Sequence, residues 1–157
     1  MKYFDVAIIG AGIAGASIAS EIGADRSVLM LEAEEFPGYH ATGRSAAFWT
    51  ESYGGPLVQP LTSASLAFLE KPPAAFSETG FLRARGAVNI AREEQGHLVD
   101  EFLADFAGSD VDLERWNWAQ AAALIPGLKP AWTQAVHEPN CRDIDVAALH
   151  AAYLRDA

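Results

Sequence analysis

The chain opens with two short apolar stretches separated by a glycine-rich turn and a small-residue helix pattern. Residues 3–9 are apolar and β-branched, which predicts a buried strand, and residues 27–31 predict a second one. Between them, residues 13–22 are rich in alanine and predict a helix that stops at Gly23. A strand, a turn, a helix and a strand within about thirty residues are typical of a βαβ unit. We therefore expect two adjacent parallel strands with the helix crossing between them.

Pro37 and Gly38 interrupt the pattern after the second strand. The rest of the chain then alternates between helical and strand patterns. A short helix is predicted to start near Thr42, whose hydroxyl could cap it. Further helices are predicted at residues 56–69, 93–106 and 118–125. Residues 81–91 predict one or two strands, 133–137 predict another, and Asp145 predicts the N-cap of a helix over 146–154. The predicted class is α/β, with a Rossmann-like dinucleotide-binding βαβ unit and a second, antiparallel sheet.

Composition narrows the class of protein. Half of the 157 residues are hydrophobic and 20% are charged, which is typical of a soluble globular domain. The formal net charge of -10, with no basic cluster, disfavours nucleic acid as a partner. A single cysteine, Cys141, provides neither a disulfide framework nor a zinc pattern, so we expect a reducing, cytoplasmic location and no bound metal.

The apolar start of the chain could also belong to a signal peptide or a membrane span. Lys2 precedes the apolar segment and small residues surround Ala19, as in a secretory signal. However, Asp5 lies inside the region that should be positive, and glycines interrupt the apolar run. Only 15 uncharged residues separate Asp5 from Glu21, too few for a helix that crosses a bilayer. The sequence therefore favours neither reading, and no transmembrane segment is expected.

The first candidate site is the G-x-G-x-x-G pattern formed by Gly10, Gly12 and Gly15. In a dinucleotide-binding turn the first glycine permits the bend, the second admits a pyrophosphate and the third lets the helix pack on the strands. Glu32 follows Gly10 by 22 residues and ends the second strand, where a carboxylate can accept both ribose hydroxyls and would repel a 2′-phosphate. The alternative is a glycine-containing packing helix with Glu32 merely solvated.

A second motif separates FAD from NAD. The stretch "GYHATGRSAAFW", with "IIGAGIAGAS", "LEAE", "PGL" and "HEPNCRDIDVAALHAAYL", resembles the FAD-dependent amine and amino-acid oxidoreductases of the D-amino-acid oxidase superfamily. Within it, the chain is most similar to bacterial D-amino-acid dehydrogenases. The resemblance extends over nearly the whole chain, in the family's order, and implies bound FAD.

The resemblance also implies which residues contact FAD. They are Gly10, Gly12, Ile13, Ala14 and Gly15 at the pyrophosphate, Glu32 and Ala33 at the ribose, and Ala41, Thr42, Gly43, Arg44, Ser45, Ala46 and Ala47 along the flavin. Small residues let a flat ring lie against the backbone, and Thr42 or Ser45 can hydrogen-bond it. Arg44 either offsets phosphate charge or is a surface arginine. For His40, a solvent-facing loop histidine is favoured over a catalytic base.

Two positions are implied to contact substrate, Phe48 and Tyr53. Tyr53 could orient a carboxylate or amine, or could be a buried packing residue. In the dehydrogenases of basic amino acids a histidine follows "GRSAA", whereas this chain has Phe48 at that position. Those enzymes also have an acid near the strand at "RARGAVNI" that pairs with the substrate's cation, whereas this chain has Gly86 and Ala87. These departures favour a small-molecule amine or amino-acid substrate that is neutral or hydrophobic, such as a D-amino acid.

Members of the resembled family are longer chains, which sets the expected domain organisation. Residues 1–47 are expected to begin an FAD-binding domain, 48–139 to form a mostly helical linker and the start of a substrate domain, and 140–157 to form a return helix. The rest of both domains would lie beyond this segment, so the catalytic residues stay unknown. The segment alone is expected to be inactive, to hold FAD poorly and to self-associate through unfinished sheet edges. The alternatives are a non-catalytic nucleotide-binding or interaction module and an NAD-dependent dehydrogenase.

Overall fold

A computed structural model describes residues 2–157, which divide into two compact units. In chain order the elements are β1 (Val6–Ile9), α1 (Ile13–Gly23), β2 (Val28–Leu31), β3 (Phe48–Trp49), α2 (Gln59–Glu70), β4 (Leu82–Ala84), β5 (Ala87–Ala91), α3 (Gly96–Phe106), β6 (Glu114–Asn117), α4 (Trp118–Leu124), β7 (Gln134–Glu138), β8 (Arg142–Ile144) and α5 (Val146–Asp156). The first unit comprises residues up to 47, 67–82 and 144–157, and the second comprises 48–66 and 83–143.

The first unit contains the βαβ motif that the opening pattern predicts. Strands β1 and β2 pair in parallel, with Val6 opposite Val28 and Ile9 opposite Leu31, and α1 connects them. Alanines 16 and 19 of α1 are buried, because only small side chains fit where the helix packs closely. The predicted βαβ unit is therefore confirmed, although each strand begins later than the apolar pattern suggests.

Asp5 and Ser27, which precede the two strands, bond to each other outside the ladder. The Asp5 carboxylate accepts hydrogen bonds from the Ser27 hydroxyl at 2.7 Å and the Ser27 N–H at 2.8 Å. The Asp5 N–H in turn donates to the Ser27 carbonyl oxygen at 2.9 Å. This reciprocal arrangement holds the starts of β1 and β2 together.

The Asp5 carboxylate should make stability depend on acid pH. The Ser27 hydroxyl, followed by the Ser27 N–H, holds the pKa of Asp5 below its ordinary 3.8. A lowered folded-state pKa means that the contribution is fully present above 3.8 and is lost as the pH falls through the lower, folded value. Urea unfolding of wild type and Asp5→Asn across this acid range should show a steeper loss of stability in wild type. Parallel profiles would contradict the assignment.

Helix α5 completes the first unit and begins where the sequence predicts. The Asp145 carboxylate accepts from the Ala148 N–H at 3.0 Å, which confirms the N-cap. The helix continues to Asp156, which accepts from the Ser20 hydroxyl of α1 at 2.5 Å. Tyr153 of α5 also packs edge-to-face on Phe76, with ring centroids 4.9 Å apart. The Ser20 contact attaches the last helix to the βαβ motif, and the Phe76 contact attaches it to the segment that follows α2.

The second unit is built on antiparallel strands, as predicted for the middle of the chain. Its larger sheet has the order β5-β7-β6, and a smaller one has the order β3-β8-β4. The predicted 81–91 segment forms two strands, because Gly86 adopts a positive φ of 79° and turns the chain between β4 and β5. Helix α3 covers one face of the larger sheet, where Val99 and Phe102 pack on Ala91 and Val136.

One local prediction is wrong. The residues after Gly38 form a short 3₁₀ helix, Thr42–Arg44, but Ala41 occupies its N-cap position and no side chain caps it. The Thr42 hydroxyl instead accepts, at 2.9 Å, from the N–H of Ile13, the first residue of α1. Thr42 therefore caps a helix that lies 29 positions away in sequence, not its own.

Within residues 2–157, none of the helices combines the length and apolar character that a membrane span requires. The same residues hold no cluster of three or more histidine, cysteine, aspartate or glutamate side chains arranged to bind a metal ion.

Candidate functional site

The three motif glycines lie at the carboxyl end of β1, and each meets a different constraint. Gly10 has a φ of 94°, which side chains rarely adopt, and its N–H donates to the Leu31 carbonyl oxygen at 2.7 Å. A Cβ on Gly15 would lie 1.9 Å from the Gly10 carbonyl oxygen, and one on Gly12 would lie 3.1 Å from the Thr42 Oγ1. Substitution at any of the three would therefore disturb the turn.

The turn leads directly into the N-terminus of α1. Two of its N–H groups already have acceptors: Ala11 donates to Glu32 Oε2 and Ile13 donates to Thr42 Oγ1, both at 2.9 Å. The intrahelical pattern begins with Ala16, whose N–H donates to the Gly12 carbonyl oxygen at 2.9 Å. The N–H groups of Gly12, Ala14 and Gly15 precede that bond and are the donors left for an anion. A backbone with few side-chain atoms and three N–H groups that lack an acceptor among the described residues fits a pyrophosphate.

Glu32 lies beside this turn, immediately after β2. Its Oε1 accepts from the N–H groups of Ala33 at 2.8 Å and Glu34 at 3.1 Å, while Oε2 accepts from Ala11. The Glu34 N–H, followed by that of Ala11, lowers the pKa of Glu32 from its ordinary 4.5, against a weaker effect of burial. The side chain is exposed and ionised near neutrality, so it can accept hydrogen bonds from ligand hydroxyls.

The predicted flavin-contacting segment also borders a hollow in the first unit. A cavity of about 320 Å³ is lined by Ile13, Ala41, Thr42, Ser45, Ala47, Ile144, Val146 and Leu149. Five of these were predicted from sequence, and the three residues of β8 and α5 were not. Arg44 points elsewhere: its guanidinium lies 5.3 Å from the centre of the exposed Tyr39 ring. His40 is exposed and pairs with Glu34 at 2.7 Å, as expected of a loop histidine.

His150 is a residue of this region that sequence analysis missed. It is 8% exposed, and its Nε2–H donates to the Ala11 carbonyl oxygen at 2.7 Å, which ties α5 to the glycine turn. Its ring also touches Gly38, where a Cβ would lie 2.8 Å from the His150 Cε1. The only sequence signal was a histidine inside an otherwise apolar helix pattern.

The second unit contains a larger cavity, of about 750 Å³. Its lining includes both residues predicted to contact substrate, Phe48 and Tyr53, and the apolar pair Gly86 and Ala87. The remaining lining residues are Thr50, Ser52, Gly54, Arg85, Val88, Asn89, Phe102, Leu124, Ile125, His137 and Cys141. Tyr53 is 79% exposed, so it is not the buried packing residue that the sequence allowed.

The one arginine of the cavity lining is held by neighbouring side chains. Arg85 Nη1 donates to Asp143 Oδ1 at 2.9 Å, and its guanidinium lies 4.5 Å from the centre of the Phe48 ring. Phe48 and Asp143 face each other across β3 and β8, so the two contacts of Arg85 come from adjacent strands. Asp143 balances the charge of Arg85, and the cavity keeps no net positive charge from this residue.

Glu138, also missed from sequence, fastens the loop that carries Tyr53. It is 1% exposed, at the end of β7. Its carboxylate accepts hydrogen bonds from the Thr50 hydroxyl at 2.8 Å, the Glu51 N–H at 2.7 Å and the Ser52 hydroxyl at 2.5 Å. Burial, followed by the charge of Glu138, raises the pKa of the nearby Cys141 thiol. Cys141 therefore stays protonated and is a poor nucleophile.

Comparison with known proteins adds family and fold. The family described as "DAO: FAD dependent oxidoreductase" matches residues 5–157 of the chain. The fold is similar to glycine oxidase from Geobacillus kaustophilus (TM-score 0.81, 23% identity, 98% of this chain and 44% of that chain). It is also similar to glycine oxidase from Bacillus cereus (TM-score 0.78, 21% identity, 98% of this chain and 43% of that chain).

A third similar structure contains the cofactor. L-alpha-glycerophosphate oxidase from Mycoplasma pneumoniae, solved with FAD bound, has a TM-score of 0.80 at 15% identity, with 99% of this chain and 42% of that chain covered. At these identities the likeness establishes the fold alone. The chain spans less than half the length of each of these three structures.

Proposed function

The chain belongs to the DAO family of FAD-dependent oxidoreductases, and we propose that its first unit binds the ADP half of FAD. The observation that carries this proposal is the placement of Glu32 at the glycine turn, where its Oε2 lies 2.9 Å from the Ala11 nitrogen. The carboxylate that we propose to accept from the ribose hydroxyls therefore lies beside the N-terminus of α1. The proposed pyrophosphate contacts are Gly10, Gly12, Ile13, Ala14 and Gly15; Gly12, Ala14 and Gly15 are the ones proposed to donate their N–H groups, since those of Gly10 and Ile13 already have acceptors. The proposed ribose contacts are Glu32 and Ala33.

The flavin ring is proposed to lie along residues 41–47. The support is that Ala41, Thr42, Ser45 and Ala47 border one cavity, whose small side chains leave room for a flat ring. Gly43, Arg44 and Ala46 complete the proposed segment. Since the Thr42 hydroxyl already accepts from Ile13, its own hydrogen remains available to a ligand acceptor. When bound, the flavin would supply the acceptor for a hydride from the carbon that carries the substrate nitrogen.

The proposed substrate is an amino acid or amine, with a neutral or hydrophobic D-amino acid as the specific choice. Several structural neighbours act on amino acids by name: glycine oxidases, L-amino acid deaminases and an L-proline dehydrogenase. The sequence resemblance to D-amino-acid dehydrogenases supports the D configuration. Phe48 and Ala87, where basic-substrate enzymes have polar residues, support a side chain without charge. Phe48 and Tyr53 are the proposed substrate contacts.

The remaining expectations stay predictions. They are a cytoplasmic location, domain boundaries at residues 47 and 139, self-association through sheet edges, and lack of turnover by the 157 residues alone. An NAD-dependent dehydrogenase and a non-catalytic nucleotide-binding module are the alternatives that the experiments below distinguish.

Replacing Glu32 by alanine should weaken FAD binding. The substitution removes the acceptor proposed for the ribose hydroxyls, and loss of such a partner costs about 1–3 kcal/mol, or roughly five- to 150-fold in the dissociation constant. The measurement is quenching of flavin fluorescence on titration of the full-length apoprotein. Glu35→Ala, an exposed glutamate nearby, is the matched control and should leave affinity unchanged. Equal affinities for wild type and Glu32→Ala would contradict the ribose assignment.

The reaction is tested with the FAD-loaded full-length protein without oxygen. A neutral D-amino acid such as D-phenylalanine should bleach the flavin absorbance, and its L enantiomer should not. Oxidation of an amine or amino acid by NAD⁺, catalysed by protein that binds no FAD, would favour the NAD-dependent dehydrogenase. A protein that binds FAD and is reduced by none of the amino acids would support the non-catalytic module.

A further inference from the structure

Three side chains on one face of the β5-β7-β6 sheet form a hydrogen-bonded cluster. His137 of β7 lies opposite Glu114 of β6, and Trp116 lies two residues further along β6. Directly opposite and diagonal positions on one sheet face are close enough for their side chains to touch. On its other side His137 is opposite Val88 of β5, which lines the 750 Å³ cavity together with His137.

Glu114 and Trp116 set the orientation of the His137 ring. Glu114 Oε2 lies 3.1 Å from His137 Nδ1 and accepts from the Trp116 Nε1–H at 2.9 Å. The indole stacks on the imidazole, with ring centroids 4.0 Å apart and planes inclined by 26°. The hydrogen bond to His137, followed by that to Trp116, lowers the pKa of Glu114 below its ordinary 4.5. The carboxylate is therefore ionised near neutrality and can only accept.

An accepting carboxylate determines which nitrogen of His137 carries the proton. Nδ1 must donate to Glu114, so in the neutral ring Nε2 is a lone-pair acceptor. Within residues 2–157 no hydrogen bond to Nε2 is formed, although the side chain is only 15% exposed. Nε2 lies next to Gly86 in the cavity lining, since a Cβ on that residue would be 3.5 Å away.

The surroundings of Nε2 are suited to a neutral donor rather than a cation. Gly86 lies beside Nε2, Val88 is opposite His137 in the sheet, and the lining also includes the apolar Phe48, Ala87 and Ile125. Among the described residues, Glu114 is the only carboxylate that hydrogen-bonds the ring; it bonds to Nδ1, away from the cavity-lining Nε2, and its side chain is half exposed to solvent. Arg85 is already paired with Asp143. A ligand with an aromatic body and one O–H or N–H donor would pack on these apolar residues and donate to Nε2, while Thr50, Ser52 and Asn89 form a polar part of the same lining.

We propose that His137 Nε2 determines specificity in this cavity by accepting a hydrogen bond from the side-chain donor of an aromatic substrate, such as the phenol of D-tyrosine. Glu114 is then a positioning residue, because it fixes the tautomer without touching the substrate. This inference rests on the proposed function as an oxidoreductase of neutral D-amino acids.

The test compares D-tyrosine with D-phenylalanine, which differ by one hydroxyl donor. In the FAD-loaded full-length protein, D-tyrosine should bind about tenfold more tightly, as expected of one net hydrogen bond. In His137→Phe, which preserves an aromatic ring for Trp116, the ratio of the two affinities should fall to about one. Glu114→Gln should also reduce it. His97→Phe, on an exposed histidine of α3, is the control and should keep the ratio.

A spectroscopic readout keeps the test independent of folding defects in the variants. In protein with ¹⁵N-labelled histidine, the His137 signals should show a protonated Nδ1 and a bare Nε2, and D-tyrosine should shift Nε2 more than D-phenylalanine does. A proton on Nε2 in the free protein would overturn the inference. Equal affinity for the two amino acids would overturn the inference alone, whereas failure of both to bind would overturn the proposed function and the inference with it.

Discussion

Replacing Gly15 by alanine is expected to cost about 3 kcal/mol or more of unfolding free energy and to abolish FAD binding by the full-length protein. A Cβ at this position would lie 1.9 Å from the Gly10 carbonyl oxygen, 3.1 Å from the Gly10 carbonyl carbon and 3.2 Å from the Ile8 Cγ2. The first two atoms are backbone, so no side-chain rotation relieves the overlap, and α1 must move away from β1. That movement would displace the N–H groups proposed for the pyrophosphate. Urea unfolding and a flavin titration measure the two losses.

The matched control lies on the same helix. A Cβ on Gly23, the last residue of α1, would meet nothing nearer than the Ala157 carbonyl oxygen at 3.7 Å. Because alanine is a better helix former than glycine, Gly23→Ala should raise stability by about 0.5–1 kcal/mol and leave FAD affinity unchanged. If Gly15→Ala were as stable as Gly23→Ala, the close approach of α1 to the turn would be wrong.

The second large effect is expected at Glu138. Alanine there removes a buried carboxylate and leaves three donors without an acceptor: the Thr50 and Ser52 hydroxyls and the Glu51 N–H. Hydrogen bonds to a charged group contribute about 1.5–3 kcal/mol each, and some donors can turn to water, so we expect a net loss of about 3–5 kcal/mol in unfolding free energy. The loop that carries Tyr53 should also become mobile, with weaker substrate binding.

Two further variants separate the hydrogen bonds from the general effect of losing a glutamate. Glu138→Gln keeps the shape and one accepting oxygen, so its stability should fall between wild type and Glu138→Ala. Glu101→Ala removes an exposed glutamate of α3 and should change stability by less than about 0.5 kcal/mol. Urea unfolding of the four proteins gives the comparison. A Glu138→Ala protein as stable as the Glu101→Ala control would rule out the anchoring role.

The sequence predicted long or strongly patterned elements well and short paired strands poorly. The βαβ unit, α3 and the helix capped by Asp145 follow from local apolar patterns and capping residues, and they appear within a few residues of their predicted bounds. β3, β6 and β8 were not predicted. They are two to four residues long, and "ERWN" or "RDI" does not alternate as a half-buried strand should. Each is a strand because a neighbouring chain segment pairs with it.

The candidate sites show the same division. Gly10, Gly12, Gly15 and Glu32 could be found from sequence because a turn, a helix start and the next strand end recur at set spacings. Glu138 and His150 could not, since their partners lie 86 to 88 and 139 positions away in the chain. His137 likewise depends on Glu114, 23 positions earlier, and on strand register.

By itself, the sequence determined the family, because its motifs extend over nearly the whole chain. It also determined the βαβ unit and the glycine turn with its acidic residue, since these depend on backbone conformation and spacing within some thirty residues. Tertiary structure decided which polar groups act together: Thr42 with the first N–H of α1, Glu138 with the loop at residues 50–52, and Glu114 with His137. Hydrogen bonds require their atoms to approach within about 3 Å. Only the packing and register of distant segments bring such atoms that close, and local sequence pattern carries no information about that approach.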